Sequence, residues 1–194
     1  MKMDINRYDN LDLIQSAIQD GLHPASPADG LFEPTSVMAL FLQNPEIQML
    51  FIQKADIPGY AWANQMAFPG GHVEEDDGGS RQAALRELEE ETGIVPGNVE
   101  VIGTLGHFQT LKNKDIEAWT GIWNQADEIV FDRAEIKRIF RIPLSHLIRC
   151  HTDNRYHERE VNFMQLIYPY EDVQIWGVTA KMICHMINLI LNKN

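Results

Sequence analysis

The sequence is poor in cysteine, because its 194 residues contain only Cys150 and Cys184. Two cysteines are too few for the disulfide framework of a small secreted protein. Each precedes a histidine, but neither pair has the spacing of a zinc finger, so we expect both thiols to be small apolar groups of the core. The first residues also lack the basic start and the apolar run of a secretion signal. We therefore predict a cytoplasmic protein.

Positive charge is also scarce, since 16 lysines and arginines oppose 28 aspartates and glutamates, for a formal charge of −12. Such a chain offers no basic stripe to a nucleic acid backbone or to an anionic membrane surface. The strongest apolar helix covers about 16 residues near the C-terminus, which is too short to favour a membrane span. We therefore expect neither a nucleic acid polymer nor a membrane as partner. A small phosphorylated molecule stays open, because bound divalent cations invert the local charge.

Length and composition predict one domain. A hydrophobic content of 44% with 9% aromatic residues is typical of a globular chain, and 194 residues suit a single domain with a sizeable core. Residues 1–194 are therefore taken as one domain, in which residues 1–35 form an N-terminal helix and an irregular connection marked by prolines and a glycine. The sequence leaves a homodimer open.

Hydrophobic spacing predicts an α/β fold with mixed strands and helices. Apolar residues recur at helical spacing from Leu11 to Leu22, behind Asp9 and Asn10 as a cap. Two strands, at 36–42 and 48–53, are expected to form a hairpin across Asn44-Pro45. The later predicted elements are a loop at 57–63, a short strand ending at residue 69, strands at 99–105 and 116–123, a short helix at 134–140, a strand at 161–167 and a helix at 176–191.

A carboxylate-rich segment follows a glycine turn between residues 71 and 94. On a helix of about 100° per residue, Glu87, Glu90 and Glu91 share an arc of roughly 100°. Gly93 predicts the end of that helix, where anionic side chains oppose the helix dipole by about 0.3–1 kcal/mol each. A hard divalent cation with oxygen ligands, Mg²⁺ or Mn²⁺, would offset this cost. The alternative is an acidic helix face that only contacts water.

The order of residues in this segment carries a family resemblance. The run Arg86-Glu87-Leu88-Glu89-Glu90-Glu91-Thr92-Gly93-Ile94 fits the REUxEExGU core of the Nudix box, in which U is a bulky apolar residue. The chain therefore resembles a Nudix hydrolase. This resemblance implies a Nudix-type α/β/α sandwich with a mixed β-sheet. It also implies that Glu87, Glu90 and Glu91 lie in register with the metal ligands of the family.

The spacing before the box resembles one Nudix subfamily, the coenzyme A diphosphatases. Gly71 is followed by five residues, Asp77 and eight further residues before the arginine, one more residue than in the general signature, which has a glutamate in place of Asp77. The subfamily shares the longer spacing and a Phe-Pro-Gly-Gly entry, which residues 68–71 match. The resemblance runs from about residue 36 to the C-terminus. The subfamily's upstream arginine and histidine are missing here, so ADP-ribose-like compounds and nucleoside triphosphates stay open as substrates.

The resemblance and the chemistry of diphosphate hydrolysis together predict which residues bind the metal. The charge of the diphosphate has to be neutralised and an attacking water has to be positioned. Glu87 and Glu91 are expected to be the principal ligands of Mg²⁺ or Mn²⁺, with Glu90 shared between ligand and base. Gly71 is expected to offer its carbonyl oxygen, and Asp77 to contribute directly or through a water.

The general base is assigned in order of preference. A general base has to lie within hydrogen-bond reach of the attacking water. Glu90 is the first candidate, Glu135 the second and Glu117 the third. Arg86 is expected to orient Glu90 or its neighbours rather than to contact the substrate. The predicted reaction is metal-dependent hydrolysis of a diphosphate bond in a nucleoside diphosphate derivative, with coenzyme A or a derivative as the favoured substrate.

Two other classes of function stay open. One is a Nudix-fold regulatory module that binds a nucleotide without cleaving it, and the other is an acidic protein whose helix contacts a basic partner. Four rings are candidates to stack on a base, although tryptophan in a strand more often belongs to the core. These rings are Trp62, Phe108, Trp119 and Trp123. Trp176 is expected to pack, and His72 and His107 to lie at the surface or near the pocket.

Overall fold

A mixed β-sheet lies at the centre of the structure, with helices on both of its faces. The computed structural model describes residues 5–28, 30–59, 62–159 and 161–193, and the elements below belong to that part of the chain. In chain order they are α1 (Leu11–Gln19), β1 (Glu33–Gln43), β2 (Ile47–Lys54), β3 (Met66–Ala67), β4 (Gly70–His72), α2 (Ser80–Thr92), β5 (Val99–Gln109), β6 (Lys114–Trp123), β7 (Ile136–Pro143), α3 (Leu144–Asp153), β8 (Tyr168–Tyr170), β9 (Val173–Ile175) and α4 (Gly177–Asn192).

Strand β1 organises the sheet, because β2, β4 and β6 all pair with it. β6 runs parallel to β1, from Glu33 opposite Lys114 to Phe41 opposite Ile122, whereas β2 and β4 run antiparallel to it. The strand order is β3-β2-β1-β6-β5, with β4 added to β1 and β7 added to β2. The sheet is therefore mixed, as the sequence predicts.

Alternate residues of β1 enter two hydrophobic cores, one on each face of the sheet. Ala39 and Phe41 belong to the larger core, which α1, α3 and α4 close. Met38 and Leu40 belong to the smaller core, which α2 closes. All four side chains are fully buried, and burial of a large apolar side chain stabilises the fold by about 1.5–3 kcal/mol. The predicted α/β/α sandwich is confirmed, and α2 covers one face of the sheet alone.

The predicted N-terminal helix is confirmed, but it ends early. The Asn10 side chain caps α1 by accepting a hydrogen bond from the Leu13 backbone N–H at 3.1 Å. The helix ends at Gln19, and Leu22, which was placed on its apolar face, is 91% exposed. Pro34, predicted in the connection, lies at the start of β1, a strand position that tolerates proline. The β1–β2 hairpin, β5, β6 and α4 are confirmed with bounds shifted by a few residues.

The helix predicted at residues 134–140 is wrong, because this segment forms β7, paired antiparallel with β2. Ile136, Ile139 and Phe140 fit helical spacing, and this misled the prediction. In the strand, Phe140 enters the larger core while Ile139 packs against the smaller one, and Ile136 is also buried. Since both faces of β7 are covered, the simple alternation that marks a half-exposed strand is missing.

The strand predicted at residues 161–167 is also wrong. Residues 163–165 form a single turn of 3₁₀-helix. Asn162 sets this turn, because its side-chain oxygen accepts the Met164 N–H at 3.0 Å and its carbonyl accepts the Gln165 N–H at 2.8 Å. Helix α3 and the β8–β9 hairpin were not predicted. α3 follows a proline and packs its apolar side on the larger core.

Both cysteines lie in helices that pack on the larger core. Cys150 and Cys184 are half-buried rather than fully buried, and burial raises the pKa of both thiols. Trp176 was expected to pack, but it precedes α4 and is 51% exposed. No helix in the described ranges has the length and apolar character needed to cross a membrane.

Candidate active site

Helix α2 carries Glu87 and Glu90 outside the smaller core, whereas Glu91 is buried. Ala84 and Leu88 are fully buried against the sheet, and Leu85 packs at their edge. The helix ends at Thr92, because Gly93 adopts a left-handed φ of 74° and donates its N–H to the Glu89 carbonyl at 2.8 Å. The end predicted from the glycine is therefore confirmed.

The glycine turn before α2 is fixed by strand pairing. In β4, Gly71 lies opposite Ser36 of β1. A Cβ atom on Gly70 would lie 2.3 Å from the Ser36 carbonyl oxygen, so no larger residue fits there without backbone movement. A Cβ atom on Gly71 would lie 2.3 Å from Oε1 of Glu87. The two glycines therefore let β4 approach β1 on one side and a carboxylate of α2 on the other.

Arg86 gathers three of the predicted site residues. Its Nε and Nη2 atoms donate to the two carboxylate oxygens of Asp77 at 2.7 and 3.0 Å. Its Nη1 atom donates to Glu87 Oε1 at 3.0 Å and to Glu90 Oε2 at 2.9 Å. The guanidinium lowers the pKa of Asp77, and the bond to Asp77 raises the pKa of Arg86. Arg86 thus holds carboxylates in place, as the sequence predicts.

Glu91 sits apart from this group, on the inner side of the helix. Its side chain is 7% exposed. Oε2 accepts the Gly70 backbone N–H at 2.9 Å, and Oε1 forms an ion pair with the ammonium group of Lys54, the last residue of β2. Sequence reasoning missed Lys54, because its contact with Glu91 depends on strand register.

The two remaining candidate bases lie elsewhere. Glu135 precedes β7 and is exposed, and its carbonyl oxygen accepts the Ala55 N–H at 2.8 Å. Glu117 of β6 accepts a hydrogen bond from the Ser80 hydroxyl at the start of α2, and its other oxygen lies 3.9 Å from Nε2 of His107. The structure therefore brings Glu87 and Glu90 together with Arg86, and leaves Glu135 outside that cluster.

The charges and contacts of the cluster fit a divalent cation. Four carboxylates contact two cations of the chain, Arg86 and Lys54, which leaves a formal charge of −2. The carboxylates are those of Asp77, Glu87, Glu90 and Glu91. Burial raises the pKa of Glu87, which shows that its charge is poorly solvated. Within the described residues, no three histidine, cysteine or acidic side chains form a ready-made metal site.

A cavity of about 190 Å³ opens beside the glycine turn. Lys54, Gly70 and Gly71 lie on its lining, so it adjoins the carboxylates of α2. The hydroxyl of Thr35 is buried in its wall without a hydrogen-bond partner. Trp62 also lines it, with the Lys112 ammonium 5.0 Å from the ring centre. The apolar part of the wall comes from Val37, Met66, Phe68, Ile116, Val178 and Met182.

The other predicted rings divide between core and site. Phe108 and Trp123 are buried in the cores and cannot stack on a ligand. Trp119 donates its Nε1–H to the Ser80 hydroxyl at 3.2 Å, beside the start of α2. His72 lines the cavity, with Nε2 3.3 Å from the Lys114 ammonium. His107 contacts Asp115 at 2.9 Å.

Comparison with known proteins decides the family. The NUDIX domain model matches residues 33–177. The Nudix hydrolase NudL of Escherichia coli K12, itself described as uncharacterized, is 32% identical over 151 residues, which cover 76% of this chain and 78% of NudL. The chain belongs to the Nudix hydrolase family. It is therefore an enzyme of a family that acts on nucleoside diphosphate derivatives and generally requires divalent metal ions.

Solved structures confirm the Nudix fold. A MutT/nudix family protein from Enterococcus faecalis is 15% identical with a TM-score of 0.54, over 99% of this chain and 76% of that one. The Ap4A hydrolase binary complex of C. elegans is 20% identical with a TM-score of 0.50, over 60% of this chain and 84% of that one. At these identities the likeness concerns the fold of the Nudix hydrolase alone.

The contact between Gly71 and Glu87 makes a specific prediction. In Gly71→Ala the new Cβ would lie 2.3 Å from Oε1 and 2.6 Å from Oε2 of Glu87, so the carboxylate has to move. Because it is the end of a flexible side chain, we expect the fold to survive, with a melting temperature within about 3 °C of the original. Displacing this candidate metal ligand by about an ångström is expected to lower kcat/KM about 10²-fold.

Gly97→Ala is the matched control, because a Cβ there meets no atom within 4 Å. It should preserve both hydrolysis and melting temperature. Hydrolysis by Gly71→Ala at the rate of Gly97→Ala would show that the position of Glu87 does not matter to the reaction.

Proposed function

We propose that this Nudix hydrolase cleaves a diphosphate bond in a nucleoside diphosphate derivative, by metal-assisted attack of water at phosphorus. The observation that carries the proposal is the cluster formed by α2 and the turn before it, where four carboxylates are held in place and two negative charges stay uncompensated beside an open cavity. Mg²⁺ or Mn²⁺ suits such an oxygen-rich site better than a softer metal does.

The metal would be held by residues on two elements. Glu87 and Glu91 are its proposed principal ligands, with Glu90 shared and the Gly71 carbonyl on the facing strand. Asp77 gives both of its oxygens to Arg86, so its proposed part is indirect, through a water or through the arginine. When bound, the ion neutralises phosphate charge and lowers the pKa of a bound water.

Glu90 is the proposed general base. Its side chain is 58% exposed, so water can reach it, and its Oε2 atom is held by Arg86 at 2.9 Å. Arg86 keeps this carboxylate oriented while binding no substrate itself. Glu135 is the second candidate, because it is also exposed, but it lies outside the cluster. A base fixed on the helix that carries the metal ligands is better placed to accept the proton of an in-line water.

Coenzyme A or a derivative is the proposed substrate, on the resemblance of residues 68–77 to the coenzyme A diphosphatases. The cavity beside the glycine turn supports a substrate with an extended moiety next to its diphosphate, since its wall is mostly apolar and contains the buried, unpartnered hydroxyl of Thr35. ADP-ribose-like compounds and nucleoside triphosphates are the enzyme alternatives.

One observation favours a second candidate function, a nucleotide-binding module that does not cleave its ligand. Asp77 replaces the box glutamate and is bonded to Arg86 through both oxygens, so it is less free to act at the metal. Three points stay predictions. They are a cytoplasmic location, a homodimer and a single domain that extends over residues 1–194.

A substrate panel tests the proposal. Coenzyme A, ADP-ribose and a nucleoside triphosphate are each incubated with the protein and Mg²⁺ or Mn²⁺, and products are identified by mass. We expect metal-dependent cleavage, and a 3′,5′-ADP-type product would support coenzyme A. Binding of these compounds without any product would instead support the module. Reactions with chelator present serve as the blank.

A further inference from the structure

Lys54 holds a position between the carboxylates of α2 and the cavity. Its ammonium pairs with Glu91, and its side chain, 17% exposed, also lines the cavity. Glu91 is the more buried partner at 7%. The pair therefore lies at the point where a metal on the helix and a diphosphate in the cavity would meet.

Both oxygens of Glu91 are already engaged. The Gly70 N–H binds Oε2 at 2.9 Å and the Lys54 ammonium binds Oε1. The backbone donor is fixed by β4 pairing with β1, whereas the lysine side chain has rotatable bonds and a second environment, the cavity. A divalent cation at Oε1 and the ammonium repel each other, and in a poorly solvated site this repulsion is weakly screened. The two cations therefore compete for one oxygen.

We infer that Lys54 is an exchangeable counter-ion of Glu91. It neutralises Glu91 while no metal is bound, leaves Oε1 when the metal arrives, and then pairs with phosphate oxygens in the cavity. In this scheme Lys54 acts first on Glu91 and then on the diphosphate itself. The inference rests on the proposed function. It adds that the metal and the diphosphate bind cooperatively. The metal frees the Lys54 ammonium from Glu91, and the diphosphate gives the displaced ammonium a new partner.

Two titrations of the full chain test this exchange in Lys54→Met. Mn²⁺ alone is titrated into protein without nucleotide, by calorimetry. We expect the variant to bind Mn²⁺ about tenfold more tightly than the original protein, because the competing cation is gone. The non-hydrolysable analogue α,β-methylene-ADP is then titrated at saturating Mn²⁺. We expect about tenfold weaker binding, because the analogue has lost its ammonium partner. A purely structural lysine would not move the two affinities in opposite directions.

Two further variants control for charge. Lys54→Arg keeps a cation on Glu91 and should bind Mn²⁺ as the original does, within about threefold. Lys114→Met removes a cation from the wall of the same cavity, but Lys114 pairs with Glu33 and not with a carboxylate of α2. Its Mn²⁺ affinity should also stay within about threefold. Equal or weaker Mn²⁺ binding by Lys54→Met overturns the exchange.

A crystal structure of the unaltered protein with Mn²⁺ gives a readout independent of any variant. We expect the Lys54 ammonium to lie beyond 4 Å from Glu91, whereas a retained pair beside a bound ion refutes the inference. If the original protein cleaves diphosphates with Mn²⁺ but Lys54→Met shows no change in Mn²⁺ affinity, the exchange alone fails. If the original protein binds no Mn²⁺ even with the analogue, the proposed function fails with it.

Discussion

Glu91→Gln is expected to lower kcat about 10³-fold, since metal assistance contributes several kcal/mol to such reactions and each 1.36 kcal/mol is a factor of ten. The amide keeps the size of the side chain and an oxygen for the Gly70 N–H, but it loses the negative charge. Lys54 would then lose its anionic partner and oppose the entry of a divalent cation. The loss should appear in steady-state hydrolysis and as weaker Mn²⁺ binding by calorimetry.

Glu89→Gln is the matched control for this prediction. Glu89 lies on the same helix and loses the same charge, but it is exposed and lies outside the contacts of Arg86 and Lys54. We expect its kcat to stay within about twofold, because a single exposed charge is largely screened. Turnover by Glu91→Gln within tenfold of the Glu89→Gln value would remove Glu91 from the metal site. A melting curve of each variant separates lost chemistry from lost folding.

Glu90→Gln is expected to lower kcat about 10²–10³-fold, the range of a lost general base. The amide oxygen can still accept the Arg86 N–H, so the arrangement of Arg86 and Asp77 should survive. Nucleotide affinity is expected to change far less than kcat, since the amide oxygen can still contact the metal and the base acts in the transition state. Single-turnover rates and the affinity for α,β-methylene-ADP measure the two quantities separately.

Glu135→Gln decides between the two candidate bases. If Glu90 is the base, Glu135→Gln retains nearly full turnover, because its carboxylate lies outside the cluster. If the large loss appears in Glu135→Gln and not in Glu90→Gln, the assignment moves to the residue before β7. If neither variant loses turnover although the panel shows cleavage, the base is a third group, and Glu117 beside Ser80 is the next to test.

Local patterns of the sequence predicted the parts of the fold that depend on neighbours along the chain. The cap at Asn10, the end of α2 at Gly93 and the β1–β2 hairpin each follow from residues within a few positions. The segment at residues 134–140 was not predicted correctly, because the same apolar spacing fits a helix or a strand with two covered faces. Pairing with β2, more than 80 residues away, decides between them.

The site was predictable to a similar extent. Arg86 and Glu90 lie one helical turn apart, so their contact at 2.9 Å follows from helix geometry. The bond between Arg86 and Asp77 needs the 3₁₀ turn at residues 75–77, which no spacing rule gives. Lys54 and Glu91 are 37 residues apart and meet through the pairing of β2 and β4 with β1. A contact of that kind depends on strand register, which the sequence alone does not reveal.

The position of β1 has a consequence for how the protein folds. Ser36 and Glu117, opposite each other in the parallel pairing of β1 and β6, are 81 residues apart in the chain. Closing so long a loop costs entropy before any contact can offset that cost. Such pairings therefore form late in folding. The strand that bears the glycine turn attaches to β1 as well, so a nascent chain cannot place Gly71 against Glu87 until β1 and β4 have paired.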